Sequence, residues 1–215
     1  IRDGAFEAGV VQILGGVLTT QNAQALVAQG TDVVIPEGVT SIGSGAFLDT
    51  LLSSVDLPST LTSIGIAAFA GTRLTSVVIP EGVTSIGDGA FAGADLSSLS
   101  VPDTLQDIGG KIEMGPGSDS ITGFAATGTF YGGTELADDP GDTDQLIFGG
   151  GTYSIAEVNA STPQQYQISE SLNPTSFMTV SGFEQINDAS FSKLLASGGM
   201  FQVDEQTQAI NIISA

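Results

Sequence analysis

VVIPEGVTSIGSGAF, residues 33 to 47, recurs at residues 77 to 91 as VVIPEGVTSIGDGAF, with a single difference. A looser copy, VDLPSTLTSIGIAAF, lies between them at residues 55 to 69, and a fourth, LSVPDTLQDIGG, begins at residue 99. The motif therefore repeats every 22 residues at Pro36, Pro58, Pro80 and Pro102, at Ile42, Ile64, Ile86 and Ile108, and at Phe47, Phe69 and Phe91. Self-similarity at a fixed period of this size is typical of a solenoid.

Apolar residues flank each proline at the same spacing. Those before it are Ile35, Leu57, Ile79 and Val101, and those after it are Val39, Leu61, Val83 and Leu105. A single coil cannot bury its apolar side, whereas stacked coils share one continuous core. We therefore expect these residues and the three phenylalanine rings to point inward. The repeated glycines mark tight turns beside neighbouring coils, which favour a residue without a side chain; they are Gly43, Gly65, Gly87 and Gly109.

The charge balance restricts the partners. Of the 215 residues, 41% are hydrophobic, and 24 acidic residues stand against 4 basic ones. The negative field of such a surface repels nucleic acid and anionic lipid headgroups, so no nucleic-acid partner is predicted. No apolar run is long enough to span a bilayer, so no membrane insertion is predicted either.

The residue inventory also restricts the chemistry. The chain contains no cysteine, histidine or tryptophan, which excludes disulfides, Cys/His zinc sites and Ser-His-Asp triads. Carboxylate pairs could still act as acid and base in glycoside cleavage, but nothing in the sequence positions them. The basic residues that could stabilise an anion are scattered at Arg2, Arg73, Lys111 and Lys193. We therefore expect no enzyme, and a polysaccharide lyase or hydrolase is the less favoured alternative.

The pattern IPEGVTSIGxGAF, followed by LTSVVIP, closely resembles the bacterial leucine-rich repeats of the BspA-like type. The resemblance covers residues 31–110 and implies a leucine-rich-repeat solenoid. It also implies an extracellular or cell-surface protein, because these repeats occur in surface and secreted proteins that serve adhesion and partner binding. The implied partner is a protein or glycan ligand, or copies of the chain itself.

A nine-residue rhythm follows residue 110. GPGSDSITG, residues 115 to 123, has the G-x-G-x-D-x-U-x core of the calcium-binding nonapeptide, in which U is a large apolar residue. The apolar position recurs at Phe130, Leu146 and Ile155, with a seven-residue insertion before Leu146. Residues 112–187 resemble a degenerate form of the repeats-in-toxin β-roll of secreted bacterial proteins, which implies a second, glycine-rich β-solenoid.

This rhythm predicts a calcium site. Eighteen residues make one turn of two nonapeptides, and Asp119 and Asp144 are separated by one such turn plus the insertion. We expect the two carboxylates to face each other on adjacent coils and to share one calcium ion with loop carbonyls. Gly128 and Tyr153 replace the aspartates on the other side, so a purely structural β-solenoid is the alternative. The acidic segment at residues 134–144, which includes the insertion, offers further ligands or forms a solvated loop.

Both ends of a solenoid need covering. The sequence predicts a helix over residues 21–29 with Thr20 as N-cap and Gly30 as its stop, a short helix from Ser190 to Ala196, and a hairpin around Glu205. The predicted fold is mainly β in four parts: a degenerate first repeat with a capping helix (1–30), the leucine-rich-repeat solenoid (31–110), the glycine-rich β-roll (111–187) and a cap of a short helix and a hairpin (188–215).

One stripe of hydroxyl groups is the candidate binding surface of the repeats. Its members are Thr40, Ser41, Thr62, Ser63, Thr84 and Ser85. They could contact sugars, protein or a sister subunit, or they could simply reflect the preference of strands for β-branched residues on a solvated face. We expect a non-catalytic scaffold for adhesion or interaction, with a subunit of a self-assembling filament, sheet or appendage as the alternative.

Overall fold

The computed structural model describes residues 13–114, 119–123, 129–131, 145–147, 151–159, 165–170, 177–181, 185–186, 189–190, 200–203 and 210–212. A 3-10 turn at Leu14–Gly16 precedes the one α-helix of this part of the chain, α1 at Thr20–Val27. The strands are β1 Val17–Leu18, β2 Asp32–Val34, β3 Ser41–Ile42, β4 Ser54–Asp56, β5 Ser63–Ile64, β6 Ser76–Val78, β7 Ser85–Ile86, β8 Ser98–Ser100, β9 Asp107–Ile108, β10 Lys111–Glu113, β11 Ser120–Thr122, β12 Thr129–Tyr131, β13 Gln145–Ile147, β14 Gly151–Asn159, β15 Gln165–Glu170, β16 Phe177–Ser181, β17 Gln185–Ile186, β18 Ala189–Ser190, β19 Met200–Val203 and β20 Ile210–Ile212.

The predicted helix is present, but its cap is Thr19 rather than Thr20. The Thr19 hydroxyl accepts a hydrogen bond from the Asn22 backbone N–H, and the Asn22 side chain accepts one from the Thr19 backbone N–H. This reciprocal pair is a capping box with Asn in the third position, and it leaves Thr20 inside the first turn. The helix buries Ala23 completely in the same core as the coils.

The repeats form a β-solenoid in which each 22-residue coil contributes one short strand to each of two faces. The first coil spans residues 33–54, the second 55–76, the third 77–98, and the fourth begins at residue 99. On one face β1, β3, β5, β7 and β9 form a parallel five-stranded sheet, with Ile42 paired to Ile64 and Ile64 to Ile86. On the other face β2 pairs with β4, and β6 pairs with β8, again in parallel at the same 22-residue offset.

Residues at equivalent positions of successive repeats form columns in the core, as the repeat predicts. Phe47, Phe69 and Phe91 are at most 1% exposed. Their rings stack with centroids 5.2 Å apart for the first pair and 5.4 Å for the second, and with interplanar angles of 6° and 8°. The apolar residues flanking the prolines are buried as well, except Leu57, which is only partly buried. The prediction of a shared core with an internal phenylalanine ladder is confirmed.

The repeated glycines lie where the backbones of adjacent coils touch. A Cβ atom on Gly65 would lie 2.6 Å from the Ser44 backbone nitrogen, and one on Gly87 would lie 2.4 Å from that of Ile66. Real Cβ atoms do not approach backbone atoms so closely, so these positions exclude any side chain. Glycine is required here for close approach between coils.

The turn that begins at the proline has one of two sequence types, and the two types alternate from coil to coil. The first and third coils carry Pro-Glu-Gly there, and the second and fourth carry Pro-Ser-Thr and Pro-Asp-Thr. The Thr60 hydroxyl accepts from the Gly38 backbone N–H at 3.0 Å and donates to the Val39 carbonyl at 2.8 Å. Thr104 of the fourth coil repeats the donor half of this contact, with the Val83 carbonyl at 3.0 Å as acceptor. We call this contact the threonine clasp; it joins the coils in pairs of 44 residues.

The second face of the solenoid continues past residue 110. β11 pairs in parallel with β8, with Ile121 opposite Leu99, and β13 pairs with β11, with Leu146 opposite Ile121. The offset of 25 residues between Ile121 and Leu146 equals the predicted turn of 18 plus the seven-residue insertion. β10 and β12 pair at the 18-residue offset, with Ile112 opposite Phe130.

The repeats-in-toxin-like roll predicted for residues 111–187 is not confirmed. β14 is a single nine-residue strand that pairs antiparallel with β15 and β19, so Ile155 lies opposite Ile168 instead of continuing a parallel ladder. A nonapeptide roll needs a turn in every nine residues, whereas β14 is extended over nine residues. The neighbours of β14 also run in the opposite direction, which a parallel roll does not allow. The strand order of this sheet is β10-β12-β16-β15-β14-β19-β20, and its pairings are partly parallel and partly antiparallel.

The C-terminal end differs from its prediction in one respect. Ala189 and Ser190 form β18, so no helix begins at Ser190, and residues 191–199 lie outside the described residues. β19 and β20 pair antiparallel, with Phe201 opposite Ile212. The turn around Glu205 lies outside the described residues, so the hairpin stays a prediction, as does the division of the chain into four parts.

Candidate functional site

The hydroxyl stripe lies along β3, β5 and β7. Its threonines are exposed and its serines are half-buried. The Thr62 hydroxyl donates to the Thr40 carbonyl at 2.8 Å, and the Ser63 hydroxyl donates to that of Ser41 at 2.9 Å. These bonds run from one coil to the next. Because the Thr62 hydroxyl donates its proton within the molecule, its oxygen presents acceptor lone pairs to a ligand.

The stripe spans three coils and then changes character. Gln106 and Asp107 occupy the same two positions on the fourth coil, and Ser85 lies opposite Asp107 in the ladder. The run of identical hydroxyl side chains is therefore short, and it ends at a negative charge. The binding role of the stripe stays a prediction.

The opposite face, formed by β2, β4, β6 and β8, points alternate residues outward. The middle residue of each strand is buried, whereas the first and third are exposed or half-buried. The third residues of β2, β4 and β6 are Val34, Asp56 and Val78, which form a column across this face. Val34 is 67% exposed and Val78 is 66% exposed. Two large apolar side chains thus flank a carboxylate on an open face, across the boundary between the β2–β4 pair and the six-stranded sheet β18-β17-β13-β11-β8-β6.

A groove of about 580 Å³ lies over β4 and β6 on this face. It is open to solvent, and its walls combine acidic, hydroxyl and apolar groups. Its lining residues are Glu37, Ser54, Val55, Asp56, Leu57, Ser59, Ser76, Val78 and Pro80. The groove is an open depression with mixed polar and apolar walls, and it is the second candidate site of the solenoid.

Glu37 is held in place at this groove. The Ser59 backbone N–H and the Ser59 hydroxyl each donate to one of its carboxylate oxygens at 3.1 Å. The backbone hydrogen bond holds the pKa of the Glu37 carboxyl below its usual range, although loss of hydration acts in the opposite direction. Glu37 is therefore a fixed negative charge at neutral pH.

Sequence reasoning missed Glu37 and Asp56 as site residues. The available signal was a departure from the repeat, because Asp56 stands in a column whose neighbours are Val34 and Val78. Glu37 belongs to a column that reads Glu, Ser, Glu, Asp, and only the structure shows that Ser59 binds it.

The predicted calcium ligands are only partly within the described residues. Asp119 precedes β11 and is 2% exposed. The parallel pairing of β11 with β13 has the 25-residue offset that separates Asp119 from Asp144, but Asp144 lies outside the described residues. Within the ranges that the structure describes, no group of three acidic or other metal-binding side chains could hold a metal ion. The shared calcium ion stays a prediction.

Residues 26–112 match the family model of the BspA type leucine rich repeat region, in six copies. The match covers the coils and their two ladders, and it stops near the point where the rhythm of the sequence changes. No curated protein and no solved structure matches the chain. In the described part of the chain no helix has the length and apolar character of a membrane span.

Proposed function

We propose that the chain is a non-catalytic, secreted or cell-surface repeat protein whose solenoid serves as a scaffold for adhesion or interaction. The observation that carries the proposal is the repetition itself. The coils stack in register, so each outward position recurs on the next coil about 4.8 Å away, as the spacing of parallel strands requires. A ligand that repeats on a similar scale can contact several coils at once.

The family match supports this proposal, because BspA-type repeats are typical of surface proteins. The acidic composition is consistent with a protein or glycan partner and unfavourable for a polyanion. Both outward surfaces, the hydroxyl stripe and the face with the groove, lie on rigid strands above a continuous core, which keeps their geometry fixed before a ligand binds.

Beads coated with the purified chain test the proposal on arrays of glycans and of extracellular-matrix proteins. We expect retention on at least one array class, and retention on neither would overturn the interaction role. A variant with Thr40→Val, Thr62→Val and Thr84→Val keeps β-branched side chains but removes the exposed hydroxyls. Thr75→Val is the matched control, because Thr75 is exposed but lies outside the stripe. Equal retention of both variants would exclude the stripe as the contact surface.

A self-assembling subunit is the second candidate, and β1 favours it. Among the described residues β1 is the terminal strand of its sheet, and its Val17 is 42% exposed. An open strand edge is a template for pairing with another chain. Negative-stain microscopy should then show filaments or sheets that Val17→Lys abolishes. Uniform monomers at high concentration would exclude this candidate.

An enzyme acting on polysaccharides is the third and least favoured candidate. Incubation with a panel of acidic and neutral polysaccharides, followed by measurement of new reducing ends, decides the question. Turnover that is lost when one groove carboxylate is neutralised would overturn the non-catalytic proposal.

A further inference from the structure

The groove over β4 and β6 is open enough to admit a protruding side chain of a partner. Its volume of about 580 Å³ exceeds that of any single side chain, so the chemistry of its walls, and not its size, selects the occupant. Its apolar contribution comes from Leu57, Val78 and Pro80, and its charge comes from Glu37 and Asp56. The matching ligand therefore has both an apolar stem and a charged end.

The sign of that charge follows from the lining. Both ionisable residues of the groove are acidic, and no lysine or arginine is found among the lining residues that the structure describes. Glu37 is oriented by its two hydrogen bonds from Ser59, so its carboxylate does not need to be ordered when a ligand arrives. A partner group with a positive charge would therefore complement the groove.

We propose that this groove binds a lysine or arginine side chain of a partner protein, with the aliphatic stem against Val78 and Pro80 and the cationic end at Glu37 and Asp56. The inference rests on the proposed interaction role and specifies the partner as a protein with an exposed basic segment. Lysine and arginine combine an apolar stem with a charged head, which is the combination that the groove presents.

The alternatives fit the groove less well. A hard cation such as calcium prefers six to eight oxygen ligands and gains nothing from valine and proline walls. A neutral sugar brings no charge to complement the two carboxylates. The net charge of −20 adds a long-range attraction that brings basic partners to the surface faster.

Calorimetric titration with a short peptide tests the inference at physiological ionic strength. The probe is acetyl-Gly-Ser-Lys-Val-Lys-Ser-Gly-amide, and its control is the same peptide with both lysines acetylated. We expect saturable binding of the first peptide and at least about tenfold weaker binding of the second, because acetylation removes the charge but keeps the stem.

Two double variants separate the groove from the general negative field. Glu37→Gln with Asp56→Asn should weaken binding about tenfold. Asp95→Asn with Asp107→Asn removes the same charge from exposed positions outside the groove and should change binding by less than about twofold. Equal weakening by the two pairs would overturn the inference in favour of diffuse attraction. Far-UV circular dichroism checks that both variants remain folded.

A second pair of variants tests the apolar wall without changing the charge. Val78→Thr should weaken binding about threefold, since it replaces one methyl group that would contact the lysine stem by a hydroxyl. Val34→Thr is the control, because Val34 is equally exposed on the same face but does not line the groove. Equal effects of the two variants, or no binding of the lysine peptide to the wild type, would overturn the inference. Retention of the wild type on the arrays would still support the interaction role, so the two failures are distinguishable.

Discussion

Truncation of the central phenylalanine of the ladder gives the sharpest test of the stacked core. Phe69 is fully buried and stacks on Phe47 at 5.2 Å and on Phe91 at 5.4 Å. Phe69→Ala should lower the free energy of unfolding by about 3 to 5 kcal/mol, the usual cost of removing a buried ring. It also removes both ring contacts, whereas Phe47→Ala removes one of the two. Each stacked pair is worth about 0.5 to 1.5 kcal/mol beyond burial, so Phe69→Ala should cost more by about that amount.

Urea unfolding followed by far-UV circular dichroism measures both variants, because the chain has no tryptophan to report by fluorescence. Phe69→Leu serves as the control that keeps an apolar side chain but removes the ring, and its loss should be smaller. If Phe69→Ala costs no more than Phe47→Ala, or less than about 1 kcal/mol, the rings do not support one another in the way described.

Three further predictions follow from other parts of the chain. Gly87→Ala should destabilise the fold by about 3 kcal/mol or more in thermal melting, since its Cβ would lie 2.4 Å from the Ile66 nitrogen; Gly30→Ala, with nothing within 4 Å, should be neutral or slightly stabilising. Because the folded-state pKa of Glu37 is lowered, its stabilising contribution is present above the usual value of 4.5 and is lost as pH falls through the folded-state pKa. The difference in melting temperature between wild type and Glu37→Gln should therefore shrink in acid. A difference that stays constant with pH would contradict the role of the Ser59 hydrogen bonds. Millimolar calcium should raise the melting temperature relative to chelator, because binding adds about 2.7 kcal/mol to the free energy of unfolding at a hundredfold excess over Kd. Asp119→Asn should abolish the rise, and an unchanged wild-type transition would exclude the shared calcium ion.

The sequence predicts the coils well because their information is local and repeated. The spacing of Phe47, Phe69 and Phe91 determines which rings meet, and the packing of any one coil is repeated by the next. The same counting gave the offset between Ile121 and Leu146. Stacked coils leave few alternatives, because a shift of one residue would turn the apolar columns outward.

The region after residue 150 could not be predicted in this way. The nonapeptide count places Ile155 half a turn after Leu146, on the ladder of Phe130, but Ile155 pairs with Ile168 in an antiparallel sheet. Antiparallel partners are separated by irregular distances along the chain, so no fixed period indicates them. The groove was missed for a related reason: the hydrogen bonds of Glu37 join two coils, and no pattern within one repeat reveals them.

The threonine clasp has a consequence for how the length of this protein can vary between relatives. Loss of residues 55–76 would set the first coil directly on the third, so that Gly38 would face Gly82 instead of Thr60, and Glu37 would face Glu81 instead of Ser59. Loss of 44 residues keeps a glycine facing a threonine, and the near-identical stretches at residues 33–47 and 77–91 are suitable sites for unequal recombination between gene copies. Relatives that gain or lose coils should therefore differ by multiples of 44 residues, and an odd number of coils should be accompanied by compensating substitutions at the glycine and threonine positions.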